Sequence, residues 1–187
     1  MQYDFELYTD GSGRDLDGFS GYAALARTAD AAVQRFTMGG MTQSTVDRAE
    51  FTALIEGLRL CYEMWDRFPH RSLVGGEQDK PRARIHWFSD RENLVLSVKK
   101  VYARSNYKDL WAAFEYYEAQ FDITAQHVTE PFTDTDPCFK EVDLQSSTAR
   151  IIFKSYYEET PLHVDIKPKV KSRASKTSGT DTDPKQG

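Results

Sequence analysis

Tyr3, Phe5 and Leu7 alternate with more polar residues at the start of the chain, a period of two that predicts a strand over 3–9. Asp10 closes it, and Gly11-Ser12-Gly13 allows a sharp turn. Residues 18–28, rich in Gly, Ala, Tyr and Leu, predict a second strand, and Ala29-Asp30 a turn. A third strand over 33–38 is expected to stop at Gly39-Gly40, giving an antiparallel meander. The period then changes. Ala49, Ala53, Leu54, Leu58, Cys61, Tyr62 and Trp65 recur at helical spacing behind Ser44 and Thr45, either of which can cap a helix. Gly57 within that helix costs about 1 kcal/mol relative to Ala, which close packing of helix on sheet would offset. Phe68-Pro69 should end it.

Residues 71–84, with Gly75-Gly76 and Pro81, read as a loop, and 83–89 as a fourth strand. Ser89 and Glu92 have capping-box spacing, which predicts a helix opening at Asp90 and running to about 103. Leu110, Trp111, Phe114 and Tyr117 mark the apolar face of another helix over 107–121. A fifth strand over 122–128, a loop over 130–137 and a last amphipathic helix over 138–159 complete the order βββ-α-β-α-α-β-α. That order implies an α/β fold, a five-stranded mixed sheet flanked by helices.

Composition adds a division of charge. The chain has 187 residues, 40% of them hydrophobic, enough for one domain with a sizeable core. Its formal net charge is −5, yet from Asp165 onward six Lys and Arg face three Asp, leaving −8 on the remainder (−5 less +3). The chain therefore divides into a globular domain over 1–160 and a basic tail over 161–187 that is expected to be disordered. Lys167, Lys169, Lys171, Arg173 and Lys176 follow one another in that tail with no acid between Lys167 and Asp181. They can follow a phosphate backbone or simply keep the terminus soluble. Cys61 and Cys138 have no zinc spacing and read as buried thiols of a reducing compartment. With no long apolar run and no leader-like start, neither secretion nor membrane insertion is expected, and a cytoplasmic location is.

Four carboxylates stand at or near the ends of separate elements: Asp10, Glu50, Asp90 and Asp143. Singly, each has an ordinary explanation. A first-turn Glu or Asp complements a helix dipole, and an acid on the last helix can be solvated. Glu50, however, is in register with Ala53, Leu54 and Gly57, on or near the sheet-facing side of its helix. Like charges brought together repel unless a cation neutralises them, so the set as a whole implies a divalent metal. Oxygen-only ligands point to Mg²⁺ or Mn²⁺ and away from zinc. Asp134 and Asp136 are alternatives to Asp143 on a loop, whereas a helix would fix Asp143.

Four segments in order, Tyr8-Thr9-Asp10-Gly11-Ser12, the stretch Ser44 to Leu54 (STVDRAEFTAL), Phe88-Ser89-Asp90 and the stretch Val142 to Arg150 (VDLQSSTAR), resemble the ribonuclease H family, over roughly Tyr3 to Tyr156. The resemblance implies a ribonuclease H-like fold and hydrolysis of the RNA strand of an RNA/DNA hybrid. It also implies two Mg²⁺ ions, for which Mn²⁺ can substitute, roughly 4 Å apart. The four acids would hold them, Asp10 bridging, Asp90 on the attacking-water side, Glu50 on the other ion and near a ribose 2′-hydroxyl, and Asp143 completing the first ion's shell. Thr45 matches a threonine that grips a DNA-strand phosphate, with Gly11 and Ser12 also counted at the substrate. Lys99 and Lys100, with Arg104 and Lys108, read either as a reduced form of the basic protrusion of some bacterial members or as a solvated helix face.

The chain departs from the family in three places. Residues 129–137 contain no histidine where many members carry one, and His127 in the preceding strand reads as a packed or edge residue. Val46 and Asp47 stand where asparagines commonly precede the arginine, so reading of the hybrid's minor groove must differ. A long basic protrusion is absent. Two other functions therefore remain open from sequence: a DNA-directed metal nuclease of the same fold, of resolvase or exonuclease type, and a non-catalytic domain that binds nucleic acid or protein.

Overall fold

Side chains of the first strand part to two faces, and each face is covered by helices. In the computed structural model, which describes residues 3–13, 18–67 and 82–159, β1 (Phe5–Gly13), β2 (Phe19–Thr28) and β3 (Gln34–Thr42) form the predicted antiparallel meander. β4 (Ala83–Ser89) and β5 (Phe121–His127) add to β1 in parallel, giving the order β3-β2-β1-β4-β5. This is the five-stranded mixed sheet of the expected α/β fold. On one face Phe5 and Leu7 join Phe51, Leu54 and Leu58 of α1 (Val46–Asp66) and Phe114 of a later helix in the larger core. On the other, Tyr8, Leu25 and Phe88 pack against Phe139 and Val142 of the last helix.

Thr45, of the two cap candidates, is the N-cap of α1, its hydroxyl accepting from the Arg48 N–H at 3.2 Å. Gly57 has the expected reason, because a Cβ there would press on Leu7 Cδ1 across the helix–sheet contact. The residues 68–81 that hold the expected stop signal and most of the next loop lie outside the described residues, as does the tail from 160.

Several boundaries differ from the expectation, each for a local reason. β1 is not closed by Asp10 and does not turn at Gly11-Ser12-Gly13 but runs on to Gly13, each of these residues paired with β2 as far as Gly13 opposite Ser20. β3 does not stop at Gly39-Gly40 but pairs through them to Thr42, Gly40 opposite Gly21. These glycines serve close approach, since a Cβ on Gly40 would overlap the Phe153 side chain on the final helix. The helix after β4, α2 (Glu92–Val98), begins later and ends sooner than predicted. Ser89 makes no capping box; its Oγ accepts from the Arg91 N–H at 3.1 Å, and Arg91 occupies the cap. At the other end Lys100 takes a left-handed conformation (φ 62°) while Val101 N–H reaches Leu96 O at 2.9 Å and Lys100 N–H reaches Ser97 O at 3.1 Å. That pair of bonds is the Schellman closure of a helix, here with lysine where glycine is usual.

The remaining elements are α3 (Lys108–Glu118), a single turn α4 (Phe132–Thr135) inside the expected loop, and α5 (Pro137–Glu159). α5 starts one residue early because Pro137 suits the first helical position and Asp136 Oδ1 accepts from both Cys138 N–H and Phe139 N–H at 2.9 Å. No helix among the described residues is long and apolar enough to cross a membrane.

Candidate metal centre

Two glycines on opposite faces of the sheet let two helices close on one strand end. At Gly11 a Cβ would overlap the backbone nitrogen of Glu50, so its absence brings the first turn of α1 against β1. At Gly21, paired with Ser12 one strand over, a Cβ would overlap the Ser146 carbonyl and the Arg150 nitrogen of α5. Asp10 lies between them, on the α5 side of β1. Asp90 follows the last residue of β4, which is parallel to β1 in a register that pairs Tyr8 with Phe88. The two aspartates therefore emerge side by side just beyond the last parallel β1–β4 pair, at the carboxyl end of that pairing, where α/β sheets commonly place ligands.

Asp10, Glu50 and Asp90 each offer a carboxylate oxygen, and these atoms lie within 4.8 Å of one another. Asp10 is 6% and Glu50 only 3% exposed, whereas Asp90 opens to solvent. The Asp10 carboxyl stands at about 7, raised first by burial and then by the charges of Asp90 and Asp143, with the Ser146 hydroxyl and the Gly11 N–H offsetting part. Glu50 is held well above the ordinary carboxylate range, first by burial and then by the charges of Asp10 and Asp90, with Gly11 N–H and Arg91 offsetting part. Asp90 is raised chiefly by desolvation. Glu50 Oε2 is buried with no hydrogen-bond partner. An anionic oxygen so placed costs several kcal/mol unless it is protonated or meets a cation. Three hard oxygen donors from Asp10, Glu50 and Asp90 lying this close together fit a divalent ion of the Mg²⁺ type.

Asp143 stands outside the 4.8 Å trio, exposed on α5, though its charge reaches both Asp10 and Asp90. Of its alternatives, Asp136 is engaged as the α5 cap and Asp134 is exposed on α4. Ser12 Oγ accepts from Ser147 Oγ at 3.2 Å. The Thr45 hydroxyl, besides capping α1, is 2.8 Å from the Tyr107 hydroxyl. Lys100 pairs at 3.3 Å with Glu118, in the last turn of α3, and Lys99 is the exposed C-cap of α2.

Sequence reasoning missed Ser146, which donates to Asp10 Oδ2. The available signal was a serine on the buried stripe of Val142 and Ala149. It also missed Arg91, which pairs with Asp47 at the mouth of the site and faces Glu50 electrostatically. His127 Nε2 reaches the Asp90 carbonyl, a contact that strand pairing alone could not announce.

No protein-family model and no curated protein matches the chain. Solved structures do. The N-terminal RNase H domain of Rv2228c from Mycobacterium tuberculosis superposes with a TM-score of 0.64 at 17% identity, covering 81% of this chain and 96% of that one. LC11-RNase H1 in complex with an RNA/DNA hybrid gives 0.60 at 17% identity, covering 80% and 99%. RNase H1 from the halophilic archaeon Halobacterium salinarum gives 0.57 at 16%, covering 78% and 96%. The chain has the ribonuclease H-like fold that its motifs resemble.

Proposed function

We propose that the protein is a divalent-metal-dependent ribonuclease H that cuts the RNA strand of RNA/DNA hybrids endonucleolytically. The observation that carries this reading is the partnerless buried oxygen of Glu50, set within a trio of carboxylates whose atoms lie inside 4.8 Å. Asp10, Glu50 and Asp90 would hold the metal, two Mg²⁺ ions in the full reading, with Asp143 flanking them. Bound there, the metal supplies an activated water for attack on phosphorus and charge neutralisation at the leaving oxygen. The chain's own part is to hold the acids in place. Asp10 is fixed between β1 and α5, and Glu50 is pressed over Gly11 with water excluded around it. Arg91 stands beside Asp90 and balances part of the trio's charge.

Gly11, Ser12 and Thr45 border the substrate in this reading, and Lys99, Lys100 and the basic tail add phosphate contacts. A hybrid-bound neighbour of the same fold supports nucleic acid as the partner. The free buried thiols Cys61 and Cys138 suit the reducing cytoplasm.

A DNA-directed nuclease is the second reading, favoured by one observation. Asp47, where the family commonly has asparagine, is occupied by its ion pair with Arg91, so the usual minor-groove contacts cannot be made in the same way. One experiment separates these readings and a non-catalytic third. Labelled RNA/DNA, RNA/RNA and DNA/DNA duplexes are incubated with Mg²⁺, with Asp10→Asn as control. Cleavage confined to the hybrid and lost in the variant is the expected result. Cutting of DNA establishes the second reading, and binding with no cutting in any duplex establishes a binding module.

A further inference from the structure

Ser146 occupies a position that an apolar residue would fill more cheaply. It lies on the sheet-facing stripe of α5 with Val142 and Ala149, and it is 0% exposed. A hydroxyl taken out of water is unfavourable unless it is hydrogen-bonded. Its helix offers only the Asp143 carbonyl, 3.0 Å away, a bond any buried helical serine can make. Its other partner is Asp10 Oδ2, toward which Ser146 Oγ donates from across the helix–strand contact. That approach requires α5 to lie close to the sheet, which Gly21 permits, and the neighbouring Ser147–Ser12 bond at 3.2 Å fixes the same register.

A carboxylate is free to rotate about its Cβ–Cγ bond, and this torsion is broad. Asp10 sits at the centre of the trio, so its rotation decides whether its oxygens converge with those of Glu50 and Asp90. On β1 the Gly11 N–H bonds to this carboxylate, and the one side-chain donor to it among the described residues is Ser146, from the opposite element.

We propose that Ser146 is the positioning residue of Asp10, its buried hydroxyl holding that carboxylate in the orientation that meets a cation together with Glu50 and Asp90. The proposal rests on the metal-binding reading of the trio. Partners that orient a metal ligand commonly contribute about 10- to 100-fold in metal affinity or activity.

The test is calorimetric titration of the full chain with Mn²⁺ in the absence of nucleic acid, for the wild type, Ser146→Ala, Ser146→Cys and Asp10→Asn, with unfolding followed in parallel. Cysteine keeps the side chain's volume with a much weaker donor, so it decides the matter if alanine impairs folding. Both serine variants are expected to weaken Mn²⁺ binding by about 10- to 100-fold. If the chain cleaves hybrid, kcat falls in parallel while KM for the duplex stays put. A purely structural serine would lower the unfolding temperature and leave the Mn²⁺ affinity of the folded protein as it was, and that result overturns the proposal. Wild-type Mn²⁺ binding by Asp10→Asn would overturn the metal reading itself. Loss in Asp10→Asn with none in the serine variants would overturn only the role of Ser146.

Discussion

His127 Nε2 lies 3.0 Å from the backbone carbonyl of Asp90. The carbonyl can only accept, so the ring nitrogen donates. The adjacent Val128 N–H reaches Ser89 O at 3.0 Å, so the end of β5 is tied at two points to the junction that presents Asp90. His127→Ala should therefore lower kcat several-fold and cost roughly 1 kcal/mol of stability, the worth of one hydrogen bond. Steady-state rates and thermal unfolding check this. A loss as complete as that of Asp10→Asn would assign the histidine to the chemistry itself.

Raised carboxyls make the stability of the metal-free protein fall with pH. Asp10 titrates at about 7 in the folded chain against 3.8 for the free side chain. The folded state thus holds a proton that the unfolded state has released. The stability this contributes is complete below pH about 4 and is lost as pH rises through about 7, at most ~4 kcal/mol. Glu50, raised likewise, acts in the same direction. Melting curves in EDTA should decline across this window, and Mg²⁺ should remove much of the decline by replacing the protons. Parallel curves with and without Mg²⁺ would contradict the linkage.

Gly11 is a spacing device between β1 and α1. An added Cβ overlaps the Glu50 nitrogen and comes too close to Ala49 C, backbone atoms that cannot rotate aside, so the helix must move. Gly11→Ala should destabilise by about 1–3 kcal/mol and weaken metal binding by displacing Glu50 from Asp10. Chemical denaturation and Mn²⁺ titration measure the two effects separately.

Lys99 and Lys100 bear on substrate through charge. Each phosphate contact they make adds about one unit to the slope of log affinity against log salt. The double alanine variant should reduce that slope by about two for the hybrid. An unchanged slope would leave Lys100 with its ion pair to Glu118 as its only role.

Much of this arrangement could be read from the chain because the relevant residues obey simple periods. Asp10 lies on an alternating strand, although that strand runs on to Gly13, and Glu50 falls in register with Ala53, Leu54 and Gly57, which is why its burial was predictable. What escaped reading depends on contacts between elements distant in sequence. Gly39-Gly40 looked like a strand end because their partners, Tyr22 and Phe153, are unknown until the hairpin and α5 pack. The early end of α2 turns on a left-handed lysine, a conformation nothing about lysine advertises. Pro137 reads as loop from its neighbours, although behind Asp136 it stands at the first helical position with that residue as its cap. Ser146 looked like one of two ordinary helix serines until Asp10 came to lie beside it.

The most direct test is anomalous diffraction at the manganese edge from crystals soaked in Mn²⁺. The predicted map has a peak bounded by Asp10, Glu50 and Asp90, with carboxylate oxygens at roughly 2.0–2.3 Å. A map with no peak there, and Glu50 turned from Asp10 with its buried oxygen bonded to protein instead, would contradict the account.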